Sequence, residues 1–244
     1  MSLLKIEGLE KTLNSEKILA DVNFSIDVGD TLVVLGKSGA GKTTLLRSLN
    51  LLERPDKGSL FFDERKINYS SLAKVDVDFI RSRLAMVFQN YALFNNKTAI
   101  ENIMEPLIYG KRVSKETAQK IAQKLLLQME LKDKADLYPA ELSGGQQQRI
   151  GIARAEALAP KIILFDEPTS SLDPALVGTI TDDILDLQKK RQTMIIVTHH
   201  LEFAEKVATK CIFLAKGKIL ESNSAEIFFN KPQTQELKEF LKNN

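Results

Sequence analysis

Residues 36–43 constrain the fold of this chain more than any other stretch. They read Gly-Lys-Ser-Gly-Ala-Gly-Lys-Thr, which matches the pattern G-x-x-x-x-G-K-[ST]. A short apolar run at 31–35 precedes them, and leucines at helical spacing follow over 42–49. The stretch therefore predicts a strand, a tight glycine-rich turn and a helix whose N-terminal N–H groups attract an anion.

Lys42 and Thr43 indicate which anion this turn binds. The Lys42 ammonium is suited to neutralising the β- and γ-phosphates of a nucleotide, and the Thr43 hydroxyl is suited to Mg²⁺, a hard cation that prefers oxygen. The alternative is a glycine-rich turn with no ligand, which the complete motif in its expected context disfavours. The residues expected around the nucleotide are Gly36, Lys37, Ser38, Gly39, Ala40, Gly41, Lys42, Thr43 and Thr44.

The composition limits the classes of protein to which the chain can belong. Its 244 residues are 43% hydrophobic and 27% charged, which suits one large globular domain. Lys and Arg total 34 against 32 for Asp and Glu, a balance too even for the basic surface of a duplex-binding protein. The single Cys211, an N-terminus unlike a signal peptide and apolar runs well short of ~20 residues predict a cytoplasmic protein that meets membranes only through a partner.

Hydrophobic periodicity divides the chain into a β-rich start, a helical middle and a return to strands. Alternation at 3–9 and 22–28 predicts an antiparallel layer before the phosphate-binding turn, and spacings of three and four behind a cap at Ser114 predict helix within 98–159. Strands that alternate with helices predict a parallel sheet with its ligand at the carboxyl ends of the strands. The further predicted strands are 59–62, 84–88, 162–165, 194–197, 211–215 and 218–221, the last two as a hairpin around Gly217.

Two carboxylates follow the predicted strand at 162–165. Asp166 is suited to hold Mg²⁺, directly or through its water, and Glu167 is suited to accept a proton from the attacking water or to orient it. By itself the pair could be an ordinary acidic turn that ends a strand. Beside a phosphate-binding turn, the pair indicates nucleotide hydrolysis.

The segment Leu-Ser-Gly-Gly-Gln at 142–146 opens another predicted helix. Ser143 and Gln146 have the spacing of a capping box, so the segment could be only a helix start. Consecutive glycines at a helix N-terminus cost conformational entropy, however, and what they gain is open N–H groups that can meet an anion. We therefore expect Gly144 and Gly145 to form a second phosphate-facing surface.

Nearly the whole chain resembles the nucleotide-binding subunit of an ABC transporter. Its motifs have the order and approximate spacing of the ATP-binding cassette ATPases: 36–43, Gln89, 142–146, 162–167, 171–173 and His199. The resemblance implies an α/β fold with a P-loop NTPase (RecA-like) core, an antiparallel β layer and an inserted α-helical subdomain. It implies a single ABC ATPase domain over 1–244, with the core and β layer in 1–89 and 160–244 and the helical signature subdomain in 90–159. The implied cofactors are ATP and Mg²⁺.

The resemblance also implies roles for individual residues. The implied catalytic residues are Lys42, Glu167 and His199; the implied metal ligands are Thr43, Gln89 and Asp166; the further implied nucleotide contacts are Gln89, Ser143, Gly144, Gly145, Gln146 and Asp173. His199 follows the strand at 194–197 and could bond the γ-phosphate, whereas His200 is expected to be structural or solvent-facing. Asp173 has an alternative role as a turn or helix-cap aspartate.

The partners implied by the resemblance begin with a second copy of the chain. The working form is implied to be a head-to-tail homodimer, in which Ser143 and Gly145 of one copy close over the γ-phosphate held by the other. The dimer is implied to lie at the cytoplasmic face of the inner membrane, bound peripherally to an integral membrane permease and indirectly served by a substrate-binding protein. Nucleic acid is not an expected partner. Tyr91, Leu93 and Phe94 are candidates for docking the permease, although packing of a loop explains them nearly as well.

Two positions depart from the family pattern. Leu13 stands where the family usually has an aromatic residue that stacks on adenine, which predicts weaker discrimination of the base. Glu156 occupies a position that is usually apolar, in the helix after the signature.

Residues 85–94, 99–103 and the tail from Phe228 to Leu241 are most similar to subunits that energise polar amino acid uptake in bacteria. Three alternatives remain at this point: a transport ATPase for another cargo or for export, a soluble ABC ATPase of repair, translation or cluster assembly, and a nucleotide-dependent module of a division complex. The soluble proteins usually carry two cassettes, long coiled coils or metal motifs, which this sequence lacks. The identity of a copurifying partner would separate them.

Overall fold

The computed structural model describes residues 2–243, which form two β-sheets and a set of helices. The strands are β1 (Ser2–Leu13), β2 (Glu16–Asp27), β3 (Thr31–Leu35), β4 (Lys57–Phe62), β5 (Arg65–Asn68), β6 (Leu84–Val87), β7 (Ile162–Asp166), β8 (Thr193–Val197), β9 (Lys210–Ala215) and β10 (Lys218–Ser224). The α-helices are α1 (Lys42–Leu49), α2 (Lys74–Arg81), α3 (Ala99–Glu105), α4 (Lys115–Gln128), α5 (Gly144–Ala157), α6 (Pro174–Lys189), α7 (Leu201–Val207), α8 (Ala225–Asn230) and α9 (Gln235–Lys242). Across residues 2–243, none of these helices has the length and apolar character needed to cross a bilayer.

The larger sheet has six strands in the order β10-β9-β3-β8-β7-β6. The strands from β9 to β6 run parallel, and β10 joins β9 as an antiparallel hairpin. Every residue of β3, β7 and β8 is buried, as expected for parallel strands that are covered on both faces. The predicted parallel sheet and the predicted hairpin are confirmed. The carboxyl ends of β3, β6, β7 and β8 therefore meet at one edge of the sheet.

The smaller sheet is antiparallel, in the order β2-β1-β4-β5. Its inward side chains, among them Ile6, Val22 and Ile26, are almost completely buried, as the predicted alternation requires. The predicted alternation ends before Val28, which follows β2 and is 59% exposed. They share a core with Leu45 and Leu46 of α1 and with one face of the larger sheet. Helix α1 is thus held between the two sheets, and its N-terminus is fixed beside the end of β3.

Helices α3, α4 and α5 lie in the chain between β6 and β7 and share a core with the opposite face of the larger sheet. Ser114 caps α4 through a hydrogen bond from the Thr117 N–H, as predicted. Glu156 of α5 forms an ion pair with Lys190, the residue that follows α6, and the Nζ and Oε1 atoms are 2.6 Å apart. This contact gives a partner to the carboxylate at position 156, where the family pattern usually has an apolar residue.

A buried amide holds the loop between β6 and α3. The Asn102 amide, which is 0% exposed, accepts the Phe94 N–H and donates to the carbonyls of Phe94, Lys97 and Thr98. The loop between β6 and α3 is therefore fixed by a satisfied buried amide.

Cys211, in β9, is fully buried, and this burial raises the pKa of its thiol to about 12.

Candidate functional site

The loop between β3 and α1 borders a cavity of about 810 Å³. Lys42 is 8% exposed, and its Nζ donates to the carbonyl of Gly36 at 2.8 Å and to that of Lys37 at 3.3 Å. Gly39 and Gly41 have φ values of 76° and 100°, in the left-handed region that favours glycine. The cavity is lined by Ile18, Gly36, Lys37, Ser38, Gly39, Gly41, Lys42, Thr43, Thr44, Gln89, Glu167, His199 and Phe240. Ala40, in the same loop, is buried and does not line the cavity.

Asp166 and Glu167 stand at the end of β7, against the same loop. The Thr43 hydroxyl donates to Asp166 Oδ1 at 2.9 Å, and Glu167 Oε1 lies 3.9 Å from Lys42 Nζ. Burial raises the pKa of Asp166, and the bond from Thr43 offsets only part of this effect. Burial also lowers the pKa of Lys42, against the opposite influence of Glu167 and Asp166. Lys42, Asp166 and Glu167 are all largely buried, so a bound ion of opposite charge would stabilise the charged form of each.

Glu167 has an unusual backbone and a second side-chain partner. Its φ of 49° lies in the left-handed region, where a residue other than glycine is strained, and its N–H donates to the carbonyl of Val197 in β8. His199 Nδ1 lies 2.9 Å from Glu167 Oε2. An ionised carboxylate only accepts, so Nδ1 donates this hydrogen bond in the tautomer that carries its proton there. Burial lowers the pKa of the neighbouring His200. Lys42 and His199 therefore contact Glu167 from two sides.

The signature segment at 142–146 lies on a different cavity, of about 240 Å³, which Leu176 of α6 also lines. The predicted capping box is present: the Gln146 N–H donates to Ser143 Oγ at 3.3 Å, and the Ser143 N–H donates to Gln146 Oε1 at 2.9 Å. Leu176 covers Gly145, and a Cβ atom added to Gly144 would lie 2.6 Å from the Tyr91 hydroxyl. Side chains thus partly cover the two glycines that the sequence suggested would be open.

The loop after β6 and the turn before α6 meet beside this segment. The Ser171 hydroxyl donates to the carbonyl of Gln89 at 3.3 Å, and the Tyr91 hydroxyl donates to the carbonyl of Ser171 at 3.4 Å. Asp173 caps α6, because its Oδ1 accepts the Ala175 N–H at 3.0 Å. The structure therefore brings Gln89, the turn before α6 and the tip of α5 into one contact region.

Comparison with known proteins identifies the group to which this arrangement belongs. A family model described as ABC transporter matches residues 19–170. The chain belongs to the ABC transporter family. It is an ATP-binding subunit of that family, with the fold of an ABC ATPase.

Relatives of this ABC ATPase are similar along nearly their full length. The probable amino-acid ABC transporter ATP-binding protein of Haemophilus influenzae is 48% identical, over 99% of this chain and 95% of the relative. The L-cystine import ATP-binding protein TcyC of Bacillus subtilis is 46% identical, over 98% and 97%. The glutamine transport ATP-binding protein GlnQ of Escherichia coli is 43% identical, over 98% of both chains.

A solved relative is the dimeric ATP-binding cassette MJ0796 in a post-hydrolysis state, bound to ADP and Pi. It has a TM-score of 0.81 and is 33% identical, with 91% of this chain and 98% of that chain covered. The match supports ATP hydrolysis as the activity of this ABC subunit and a dimer as its working form.

Sequence reasoning missed two residues that line the 810 Å³ cavity of this ABC subunit, Ile18 of β2 and Phe240 of α9. Leu13 is half-buried at the end of β1, where it pairs with Glu16 across a two-residue turn. Among the described residues, Ile18 rather than Leu13 borders the cavity near this turn. The alternation of apolar residues in β2 could have indicated that the Ile18 side chain points inward. It could not have indicated that this side chain lies beside the loop between β3 and α1.

The substitution Leu13→Tyr tests whether the missing aromatic residue weakens base recognition in this ABC ATPase. A ring that reaches the base should raise ATP affinity by about tenfold and raise the ATP/GTP preference, since base stacking contributes roughly 1–3 kcal/mol. Titration with both nucleotides measures the two effects, and Thr12→Tyr, at the exposed neighbouring position, is the control. Unchanged affinity and preference in Leu13→Tyr would contradict the prediction.

Proposed function

We propose that this chain hydrolyses ATP to power the import of a polar amino acid through a membrane permease. The observation that carries the proposal is the convergence of Lys42, Glu167 and His199 on one cavity at the carboxyl edge of a parallel sheet. The names of the similar proteins, which include cystine and glutamine transport subunits, support an amino acid as the cargo.

In the proposed reaction, the loop N–H groups and Lys42 bind the phosphates. Glu167 takes a proton from a water molecule as its oxygen attacks the γ-phosphorus, and the bond to the β–γ bridging oxygen breaks to release ADP. His199 contacts Glu167 through Nδ1 and is placed to orient that carboxylate. In its imidazolium form, which carries a proton on each ring nitrogen, it would also donate a hydrogen bond to the γ-phosphate through Nε2. The hydrogen bond from the Glu167 N–H to the Val197 carbonyl holds the backbone from which this carboxylate extends.

Thr43, Asp166 and Gln89 are the proposed ligands of Mg²⁺. The observed donor set is a hydroxyl and a carboxylate 2.9 Å apart, with the Gln89 side chain on the same cavity wall. These few hard oxygen donors fit an ion that usually keeps several waters and binds substrate phosphates. When bound, Mg²⁺ would neutralise charge on the phosphate oxygens.

We also propose that two copies pair head to tail. Within residues 2–243, the phosphate-binding loop and the signature segment line separate cavities, so a single chain does not bring Ser143 to its own loop. A second copy, with its signature facing the first copy's loop, would do so twice by symmetry. In this arrangement Ser143, Gly144, Gly145, Gln146 and Asp173 belong to the interface. Residues 90–159 are then the proposed signature subdomain, and 1–89 with 160–244 the core.

The permease is proposed to dock in an apolar groove of about 400 Å³. Phe94 and Tyr109, which are 47% and 75% exposed, line it together with Phe88 and Leu158. Arg154 borders the groove and donates to the carbonyls of the preceding loop at residues 91 and 92. The proposed occupant is a short cytoplasmic helix of the permease, which would insert apolar side chains between these rings.

Of the three docking candidates taken from the sequence, Phe94 lines this groove. Leu93 packs against the core and Tyr91 contacts the tip of α5, so loop packing accounts for both. Docking at Phe94 would place the subunit peripherally at the cytoplasmic face of the inner membrane. A substrate-binding protein would then act on it only through the permease.

The substitution Glu167→Gln should preserve ATP binding and slow hydrolysis at least about 100-fold, because it removes the general base. The ATP-bound pair should then accumulate on size exclusion. Glu205→Gln, an exposed change on α7, is the control and should hydrolyse ATP normally. Lys42→Ala should instead weaken nucleotide binding itself. Normal hydrolysis by a Glu167→Gln monomer would refute the assignment of the base.

Mixing two inactive variants tests the head-to-tail arrangement. Lys42→Ala and Ser143→Arg should each abolish hydrolysis as homodimers. A mixed dimer keeps one complete site, built from Lys42 of one chain and Ser143 of the other, so the mixture should recover phosphate release that neither variant shows alone. Mixed pairs verified by affinity tags that remain inactive would argue against this arrangement.

Reconstitution with the permease encoded beside this chain tests both cargo and docking. Wild-type vesicles should accumulate labelled polar amino acids only with ATP. Phe94→Asp should abolish uptake and copurification, because it places a charge in the apolar groove, while nucleotide affinity of the isolated subunit stays unchanged. Val75→Asp, at another exposed apolar position, should have no effect. Uptake of a different class of solute would overturn the proposed cargo.

A further inference from the structure

The C-terminal residues 225–242 have no part in the reaction proposed above. They form α8 and α9, and their buried side chains include Phe228, Leu237 and Phe240. One of these three, Phe240, also borders the nucleotide cavity. The segment therefore connects the surface of the larger sheet with the phosphate-binding loop.

Glu221 of β10 fixes the start of α9. It is 6% exposed, and its carboxylate accepts the N–H groups of Gln233 and Thr234 as well as the Thr234 hydroxyl, at 2.9 to 3.1 Å. The Asn223 amide donates to it at 3.0 Å. Burial alone would raise the pKa of Glu221, but these hydrogen bonds outweigh burial and hold that pKa below its ordinary value of 4.5. The carboxylate is thus an ionised anchor for the turn before α9.

Phe240 packs at the other end of this connection. Its ring centroid lies 5.1 Å from that of Phe213 in β9. Phe213 pairs in register with Leu35, the last residue before the phosphate-binding loop. Helix α9 therefore packs against β9 at the position where the neighbouring strand β3 ends.

The hairpin of β9 and β10 contacts the loop directly at two points. A Cβ atom added to Gly36 would lie 2.2 Å from the carbonyl oxygen of Leu214, so the backbones of β9 and the loop are in close contact. In the turn of the hairpin, the Gly217 N–H donates to the carbonyl of Ala40 at 3.2 Å. The hairpin therefore contacts the loop near both of its ends.

We propose that Phe240 is a positioning residue for the phosphate-binding loop, which it holds in its binding shape by bracing β9 against Gly36, and that Glu221 keeps Phe240 in place. The C-terminal segment then sets the affinity for nucleotide in a single copy of the chain. This role is independent of the transported cargo and of the permease.

Four full-length variants test the proposal in matched pairs. Phe240→Leu is compared with Phe228→Leu, which removes an equally buried ring that does not border the cavity. Glu221→Gln is compared with Glu226→Gln, an exposed carboxylate on α8. Each variant is titrated with ADP and with ATP below its Tm, and steady-state hydrolysis is measured at the same temperature. Circular dichroism establishes that each variant is folded.

Phe240→Leu and Glu221→Gln should raise the Kd for ADP by about three- to tenfold, the size typical of substitutions that act on a ligand through packing. KM for ATP should rise with little change in kcat, because the loop binds substrate and transition state alike. Phe228→Leu and Glu226→Gln should stay within twofold of wild type, even where Phe228→Leu lowers Tm.

The proposal is overturned if Phe240→Leu binds ADP as wild type does, or if Phe228→Leu weakens binding equally, because general loosening would then explain both. Should Phe240→Leu fail to fold, Glu221→Gln decides the question, since it keeps the size of the side chain and removes the charge that accepts these hydrogen bonds. Wild-type affinity in a folded Glu221→Gln variant would also overturn the proposal.

Discussion

The contact between Lys42 and Glu167 is the constraint on which the site depends. Burying two opposite charges costs desolvation, and their attraction compensates only when further hydrogen bonds satisfy both groups. Lys42 has the carbonyls of its own loop, and Glu167 has the His199 ring. Lys42 begins the helix after β3, and Glu167 and His199 follow β7 and β8, so the order of strands in the larger sheet places the three groups within reach of one another. The two cores then hold that sheet from both faces.

Local signals predicted much of this arrangement from the sequence. The strands, the caps at Ser114 and Ser143 and the hairpin around Gly217 depend on hydrogen bonds and periodicities that span only a few residues. The position of Asp166 and Glu167 at a strand end followed from the same reasoning, because strand ends in a parallel sheet share an edge. Most residues expected at the nucleotide accordingly line one cavity.

Contacts between distant parts of the chain could not be predicted in this way. Phe240 reaches the cavity from the last helix, Tyr91 covers Gly144 from another loop, and Glu156 pairs with Lys190 just after a neighbouring helix. Each contact depends on how two elements pack, and no pattern within either element specifies its partner. For the same reason, Leu13 could be aligned with a stacking position although Ile18 is the residue that borders the cavity.

The burial of Cys211 makes this protein convenient for site-directed labelling. A thiol whose pKa is raised to about 12 is almost entirely protonated at neutral pH and is a poor nucleophile toward maleimides. Because the sequence contains no other cysteine, one introduced on the surface would be the sole reactive group. Fluorophores or spin labels could therefore be attached at chosen positions without first replacing a native residue, and the packing of β9 would be left intact.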